Sequence, residues 1–125
     1  MQSIKDLRVW QSSFELSKLV YVLTDQLPVS ERDVLYKQMR KCAVSIPSNL
    51  SEGYRRRTKN EMRHYTRIAY GSASELETQF LIVKDLKLVS PDIVARVEAK
   101  LDEVLRMMNR FSQAVERAVS GRVVS

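Results

Sequence analysis

Residues 90–115 read SPDIVARVEAKLDEVLRMMNRFSQAV and contain the clearest helical pattern in the chain. Apolar side chains recur there at alternating spacings of three and four, at Val94, Val97, Leu101, Val104, Met108, Phe111 and Val115. This spacing places them on one face of an α-helix, and that face is stable only when it packs against other elements. Ser90, Pro91 and Asp92 supply an N-cap, a first-turn proline and an acidic first turn. The stretch predicts a long amphipathic helix, and Gly121 marks the end of the fold.

Three earlier segments show the same periodicity. The first runs from a cap at Ser3 to Pro28, the second begins at Ser30, and the third begins at Thr58, where Glu61 completes a capping box. In each segment a row of residues at helical spacing, which we call its core stripe, falls on one face. The first segment has two adjacent stripes, Leu7, Trp10, Phe14, Ser17, Tyr21 and Thr24 beside Leu16, Val20, Leu23 and Leu27. The stripe of the second is Leu35, Met39, Cys42, Ile46 and Leu50, and that of the third is Met62, Tyr65, Ala69, Ala73, Leu76, Phe80 and Val83. The connections are short and no stretch alternates like a strand. We therefore expect an all-α fold, an antiparallel up-and-down four-helix bundle that forms a single domain over residues 1–125.

Pro47 lies inside the second helical pattern. A proline there removes one backbone hydrogen bond and clashes with the carbonyl group of Ala43, four residues earlier. The apolar stripe keeps its phase across Pro47, so we expect helix two to be kinked at Pro47 rather than to end there. We expect Ser48 or Asn49 to satisfy the carbonyl that the proline leaves unpaired.

The composition excludes several classes of protein. The single cysteine, Cys42, rules out a disulfide framework and a cysteine-rich metal site, and its place on the core stripe predicts a small buried residue. No apolar run approaches the ~20 residues needed to cross a bilayer. Charges at Lys5, Asp6 and Arg8 interrupt the amino terminus, which is therefore unlike a signal peptide. We expect a cytoplasmic protein that does not interact with membranes.

The net charge of +6 is concentrated in one segment. Residues 37–67 contain nine basic residues against only Glu52 and Glu61. Six of the nine form what we call the basic ridge: Arg55, Arg56 and Arg57 at the junction of helices two and three, and Lys59, Arg63 and Arg67 at four-residue spacing on helix three. Arginine presents a planar fork of donors that suits phosphate, so the ridge predicts nucleic-acid binding without base recognition. The alternative is a solvated face in which Arg63 or Arg67 pairs with acidic groups of a neighbouring subunit.

Two further features near the ridge are candidates for recognition. Tyr54 and Tyr70 flank it and are possible stacking partners for bases, although aromatic residues in bundles more often pack in a core or interface. Residues 69–74 read AYGSAS, and small side chains allow another helix to approach closely. Candidates for a subunit interface are Ala69, Gly71, Ser72 and Ser74. Tight packing within one chain explains the run equally well.

Nothing in the sequence indicates catalysis. Glu61 and His64 have the spacing of half a di-iron bundle site, but His64 is the only histidine and lies among arginines that repel a cation. There is neither a glycine-rich phosphate loop nor a Ser/His/Asp set. We therefore expect no enzyme activity, no metal site and no cofactor.

Three motifs resemble the 23S rRNA intervening-sequence protein family. They are DLRVW at 6–10, VSIPSNLSEGY at 44–54 and GSASELETQ at 71–79, in the same order and over nearly the whole chain. Leu50 and Ser51 depart from the motif, where isoleucine and alanine are expected. The resemblance implies a homopentamer of four-helix bundles, a genetic link to inserts in ribosomal RNA genes, and no catalytic residues.

The family also resembles the accessory protein of diversity-generating retroelements, which implies assistance to a reverse transcriptase. Two functions therefore stay open. The first is a nucleic-acid-binding homo-oligomer that uses the basic ridge, with RNA favoured. The second is an interaction scaffold, or an accessory subunit of a nucleic-acid enzyme such as a reverse transcriptase, in which the ridge contacts an acidic protein partner.

Overall fold

The structure is a computed structural model that describes residues 3–121. Four long helices follow one another along the chain: α1 at Arg8–Asp25, α2 at Lys37–Tyr54, α3 at Lys59–Asp85 and α4 at Pro91–Ser120. The described residues contain no β-strand. The predicted all-α fold is therefore confirmed.

Consecutive helices run in opposite directions and pack against each other. Arg67, early in α3, pairs with Glu116, late in α4, whereas Lys84, late in α3, pairs with Glu98, early in α4. Side-chain hydrogen bonds between α1 and α2, and between α2 and α3, run in the same opposed order. Both α1 and α3 contact α2 and α4, so the four helices form a closed square with α1 diagonally opposite α3.

The core is built mainly from the predicted stripes. Its innermost members, each no more than 2% exposed, include Leu16, Val20, Leu23, Met39, Ile46, Ala69, Ala73, Leu76, Phe80, Val83, Val97, Leu101, Val104 and Met108. Phe14 and Tyr21 differ from the expectation, since they are 44% and 42% exposed. The buried face of α1 is centred on Leu16 and Val20, toward α2 and α4, so Phe14 and Tyr21 fall at its outer edge. In α4, Ile93 is the buried residue of the first turn and Val94 is half-buried.

The ends of the helices show how local sequence sets their limits. Ser3 and Asp6 form a capping box, but they cap a short 3-10 turn, and α1 itself begins at Arg8. Regular α2 begins at Lys37 rather than Ser30, because a 3-10 turn over Val29–Glu31 and a π-helical turn over Arg32–Tyr36 precede it. At the start of α3 the Thr58 hydroxyl accepts a hydrogen bond from the Glu61 amide at 3.1 Å, as predicted. Gly121 ends α4 with a φ of 69°, a left-handed conformation that glycine adopts easily.

Helix α2 continues through Pro47 without a break. The Ala43 carbonyl, which has lost its partner at Pro47, accepts a hydrogen bond from the Ser17 hydroxyl of α1 at 3.0 Å. The expectation that Ser48 or Asn49 satisfies this carbonyl is wrong, since the Asn49 amide donates to the Ser45 carbonyl instead, at 2.8 Å. A donor from the neighbouring helix thus compensates for the proline, and the kink itself stays a prediction.

Candidate nucleic-acid interface

Three of the six basic-ridge cations have carboxylate partners among residues 3–121. Arg56 is the first: its guanidinium lies 2.6 Å from the Glu52 carboxylate, donates to the Tyr65 hydroxyl at 2.9 Å and covers the Tyr65 ring. The Glu61 carboxylate is a more distant partner at 3.9 Å. Arg56 is therefore held against the surface by its own neighbours.

Arg63 and Arg67 share one carboxylate of α4. Arg67 donates two hydrogen bonds to Glu116, at 2.8 and 3.0 Å, and an Arg63 nitrogen lies 3.8 Å from the same group. The hydrogen bond from Arg67 lowers the pKa of Glu116, and the same bond raises the pKa of Arg67. The sequence-based alternative placed these partners on a neighbouring subunit, but the partner is in the same chain.

The other three ridge cations are exposed and unpaired. Arg55 closes the last turn of α2, Arg57 lies in the connection, and Lys59 is the first residue of α3. None of them forms an ion pair with any residue from 3 to 121. Because α2 ends and α3 begins here, these side chains project from one end of the bundle, and we call them the turn cations.

The fold brings further cations to the same end. The half of the bundle that contains the α2–α3 connection comprises residues 3–16, 46–72 and 106–121, and we call it the basic half. It contains eleven lysines and arginines against five acidic residues, whereas residues 17–45 and 73–105 contain nine against ten. Its members outside the ridge are Lys5, Arg8, Arg106, Arg110 and Arg117. Sequence reasoning missed these five because they are far from the ridge in the chain. The antiparallel order of the helices was the signal that could have placed them.

The two tyrosines take part in packing. Tyr70 is half-buried against the core, and its hydroxyl donates to the side-chain oxygen of Asn109 at 3.1 Å. Tyr54 is half-buried and lines a small cavity of about 100 Å³ together with Leu50, Met62 and Phe111. Both environments favour the packing alternative over base stacking.

The small-residue run divides between core and surface. Ala69 is fully buried within the chain and belongs to the hydrophobic core. Ser72 faces α2, where its hydroxyl lies 2.8 Å from that of Ser45. Gly71 and Ser74 are exposed, and a Cβ added at Gly71 would meet no atom within 4 Å. Only Gly71 and Ser74 therefore stay available for an interface.

Several candidates for chemistry have ordinary structural roles. His64 packs edge-on against the Tyr65 ring with a centroid distance of 5.0 Å, while the Glu61 carboxylate accepts from the Thr58 hydroxyl at 3.1 Å. Cys42 is buried as predicted, and burial raises the pKa of its thiol. Across residues 3–121, no three histidine, cysteine or acidic side chains come together as metal ligands. No helix in this range is long and apolar enough to span a membrane.

Comparison with known proteins supports the resemblance seen in the motifs. No curated protein matches the chain. A family model described as 23S rRNA-intervening sequence protein matches residues 5–110, a range that includes α1 to α3, most of α4 and the whole basic ridge. The chain therefore belongs to the 23S rRNA-intervening sequence protein family.

Proposed function

We propose that this protein is non-catalytic and binds nucleic acid, with RNA preferred, through the turn cations Arg55, Arg57 and Lys59. The observation that supports the proposal is the charge distribution: all of the excess positive charge lies in the basic half. The turn cations at its end have no carboxylate partner among residues 3–121. The family's name, which refers to sequences inserted in 23S ribosomal RNA, is compatible with an RNA partner.

The two kinds of ridge cation contribute differently. A solvated guanidinium or ammonium can move to a phosphate and release condensed counterions, which is the main source of non-specific nucleic-acid affinity. The three paired cations, Arg56, Arg63 and Arg67, must give up a carboxylate before they can bind a phosphate. Each therefore contributes less binding free energy. They still raise the local positive potential, which speeds encounter with a polyanion.

We also propose that the protein acts as a cyclic homo-oligomer, with five copies expected. The outer face of α3 supports self-association: Ile68 and Ile82 are 39% and 43% exposed, and Gly71 lies between them with open space beside it. Several copies of the basic half in one assembly would raise avidity for a long polyanion without any new contact. A solution mass equal to a single chain at micromolar concentration would contradict this.

The same apolar face keeps a second function open, an accessory subunit that contacts a protein partner such as a reverse transcriptase. In that function the turn cations would contact acidic side chains of the partner. Competition separates the two functions, because an RNA-binding surface is blocked by unlabelled RNA at far lower charge concentration than by polyglutamate. Equal competition by the two polyanions would favour the protein partner.

The decisive experiment compares two triple variants by fluorescence anisotropy with labelled RNA at several salt concentrations. One variant replaces the turn cations with glutamine. The matched control replaces Lys41, Lys87 and Arg96, three exposed cations of the other half with no ion pair among residues 3–121, and so removes the same net charge. For three lost phosphate contacts, log affinity of the turn-cation variant should depend on log salt less steeply by roughly two units, at 0.7–0.9 per contact. The control should retain the wild-type slope. Equal slopes for all three proteins, or no wild-type binding at low salt, would contradict the proposal.

A further inference from the structure

A groove runs between the start of α1 and residues 107–111 of α4. Its volume is about 560 Å³, and its lining is Asp6, Leu7, Arg8, Val9, Met107, Arg110 and Phe111. This volume is within the ~300–1,000 Å³ typical of small-ligand sites. All seven residues belong to the basic half, but none belongs to the basic ridge.

The two arginines of the groove are placed where they do not help the fold. Arg8 is the first residue of α1, where the helix dipole disfavours a cation by roughly 0.3–1 kcal/mol. Arg110 lies one turn after Arg106, a like-charge spacing that costs about 0.2–0.5 kcal/mol. Neither Arg8 nor Arg110 has an ion pair with any residue from 3 to 121. A bound anion would offset the unfavourable electrostatic energy of both arginines.

The lining of the groove includes apolar and aromatic side chains. Leu7, Met107 and Phe111 are half-buried at the edge of the core, so each presents part of its side chain to the groove. A phenyl ring offers a face on which any nucleobase can stack, worth about 1–3 kcal/mol per base. A lining that combines apolar side chains with two guanidiniums matches the chemistry of a nucleotide, which has a flat base and an anionic backbone.

The acidic groups near the groove already have partners. Asp6, the one acidic residue of the lining, accepts a hydrogen bond from the Ser3 amide at 3.2 Å in the capping box. Beyond Arg8, a second groove contains Glu15 and Glu103, which pair with Lys18 at 2.7 Å and Lys100 at 3.3 Å. The arginines of the first groove therefore stay available to an anion.

We propose that the α1–α4 groove holds one unstacked base of a single-stranded nucleic acid on Phe111, with the flanking phosphates bound by Arg8 and Arg110. The inference rests on the proposed function, because it assumes that the basic half contacts nucleic acid. It adds a strand preference. In a duplex each base is paired and stacked on its neighbours, so only a single strand can place a base in the groove.

The test measures the affinity of the full chain for three labelled RNA probes: a 20-nucleotide single strand, the matching duplex, and the same single strand with abasic positions. Phe111→Leu keeps an apolar side chain but removes the aromatic face. It should weaken single-strand binding roughly fivefold or more, since stacking contributes at least ~1 kcal/mol, and leave duplex and abasic binding unchanged. Phe111→Tyr should behave as wild type. Arg8→Gln with Arg110→Gln should flatten the single-strand salt slope by about 1.4 units, at ~0.7 per phosphate, whereas Arg96→Gln on the same helix should not.

The outcomes separate this inference from the proposed function. If the wild type binds neither strand nor duplex at low salt, both fail. If the wild type binds both and the turn-cation variant loses the salt slope, but Phe111→Leu binds the single strand as wild type does, only the groove inference fails. Equal weakening for strand, duplex and abasic probes would also overturn it, because that result indicates a structural effect. Should Phe111→Leu fail to fold, the double arginine variant decides: an unchanged single-strand slope overturns the inference.

Discussion

The Ser17 hydroxyl on α1 lies 3.0 Å from the Ala43 carbonyl oxygen on α2, the acceptor that Pro47 leaves without its helical partner. The same hydroxyl lies 3.0 Å from the Ser13 carbonyl, so its single proton is shared between the two acceptors. Ser17 is 9% exposed, which means that water cannot easily replace it. A hydroxyl donor from α1 thus replaces the backbone hydrogen bond that α2 lacks at Pro47.

Ser17→Ala should destabilise the fold by about 1–3 kcal/mol, because it leaves the Ala43 carbonyl buried without a donor. In a Pro47→Ala background residue 47 regains an N–H that can bond to Ala43, so Ser17→Ala should cost less there. Urea unfolding of the wild type, both single variants and the double variant measures the difference, expected at ~0.5–3 kcal/mol for residues that share a partner. An equal cost of Ser17→Ala in both backgrounds would show that the bond does not compensate for the proline.

Glu116→Gln should strengthen RNA binding. Glu116 holds Arg67 by two hydrogen bonds and lies 3.8 Å from Arg63, so its neutralisation releases two guanidiniums to the solvent. The log–log salt slope should become steeper by roughly one to two units. Glu98→Gln is the matched control, since Glu98 forms a similar ion pair with Lys84 in the other half and its loss should leave the slope unchanged. Weaker binding by Glu116→Gln would mean that the carboxylate positions the arginines for contact.

The paired ridge cations should contribute less to RNA affinity than the turn cations. Replacing Arg56, Arg63 and Arg67 with glutamine removes the same charge as replacing Arg55, Arg57 and Lys59, but the first set already has carboxylate partners. The first variant should therefore flatten the salt slope by less than the second. It should remain folded, because exposed ion pairs contribute only about 0–1 kcal/mol each. Anisotropy titrations on both variants in parallel give the comparison, and a larger effect of the paired set would reverse our assignment of the contact surface.

Ser12→Ala should remove stability that Glu103 contributes near neutral pH. The hydrogen bond from Ser12, supported by Lys100, lowers the pKa of the Glu103 carboxyl in the folded protein. A carboxyl whose folded pKa lies below the ordinary value of ~4.3 contributes stability above that value and loses it as the pH falls through the folded pKa. Without Ser12 the folded pKa of Glu103 should rise toward its ordinary value, so the variant should be less stable near neutral pH and should lose less stability as the pH falls through this range. Carboxyl carbon shifts followed by NMR report the Glu103 titration directly, and an unchanged midpoint would exclude Ser12 as its main cause.

Gly71→Ala separates a packing role from an interface role. The site is exposed and an added Cβ meets no atom within 4 Å, so the single chain should gain roughly 0.5–1 kcal/mol from better helix propensity. If Gly71 allows a close approach between subunits, the same methyl group should reduce the assembled mass seen by light scattering. Gln113→Ala, a change at an exposed position of α4 outside the candidate interface, serves as the control. A variant that is more stable and fully assembled would exclude Gly71 from the interface.

Secondary structure was largely predictable from residue pattern and capping chemistry. The helix that the heptad over 94–115 predicts, the Thr58 cap, the Ser90–Pro91 start and the Gly121 end all appear in the structure, because these signals act within a few residues of the chain. Where local signals failed, the reason was tertiary. Phe14 and Tyr21 share the helical phase of the core stripe, but the positions of α2 and α4 around α1 leave them at the surface.

In the candidate site, the residue types could be predicted from the sequence, whereas their charge partners could not. The sequence by itself determined that positive charge accumulates over 37–67, since this follows from residue identity alone. It could not separate Arg67 from Arg57, because the partner that neutralises Arg67 is 49 residues away at Glu116. Nor could it place Arg8 and Arg110 in one groove, which depends on the side-by-side packing of α1 and α4. Coulomb interactions act over a few ångströms in space whatever the distance along the chain, so only the tertiary structure decided which cations are neutralised and which are free to bind an anion.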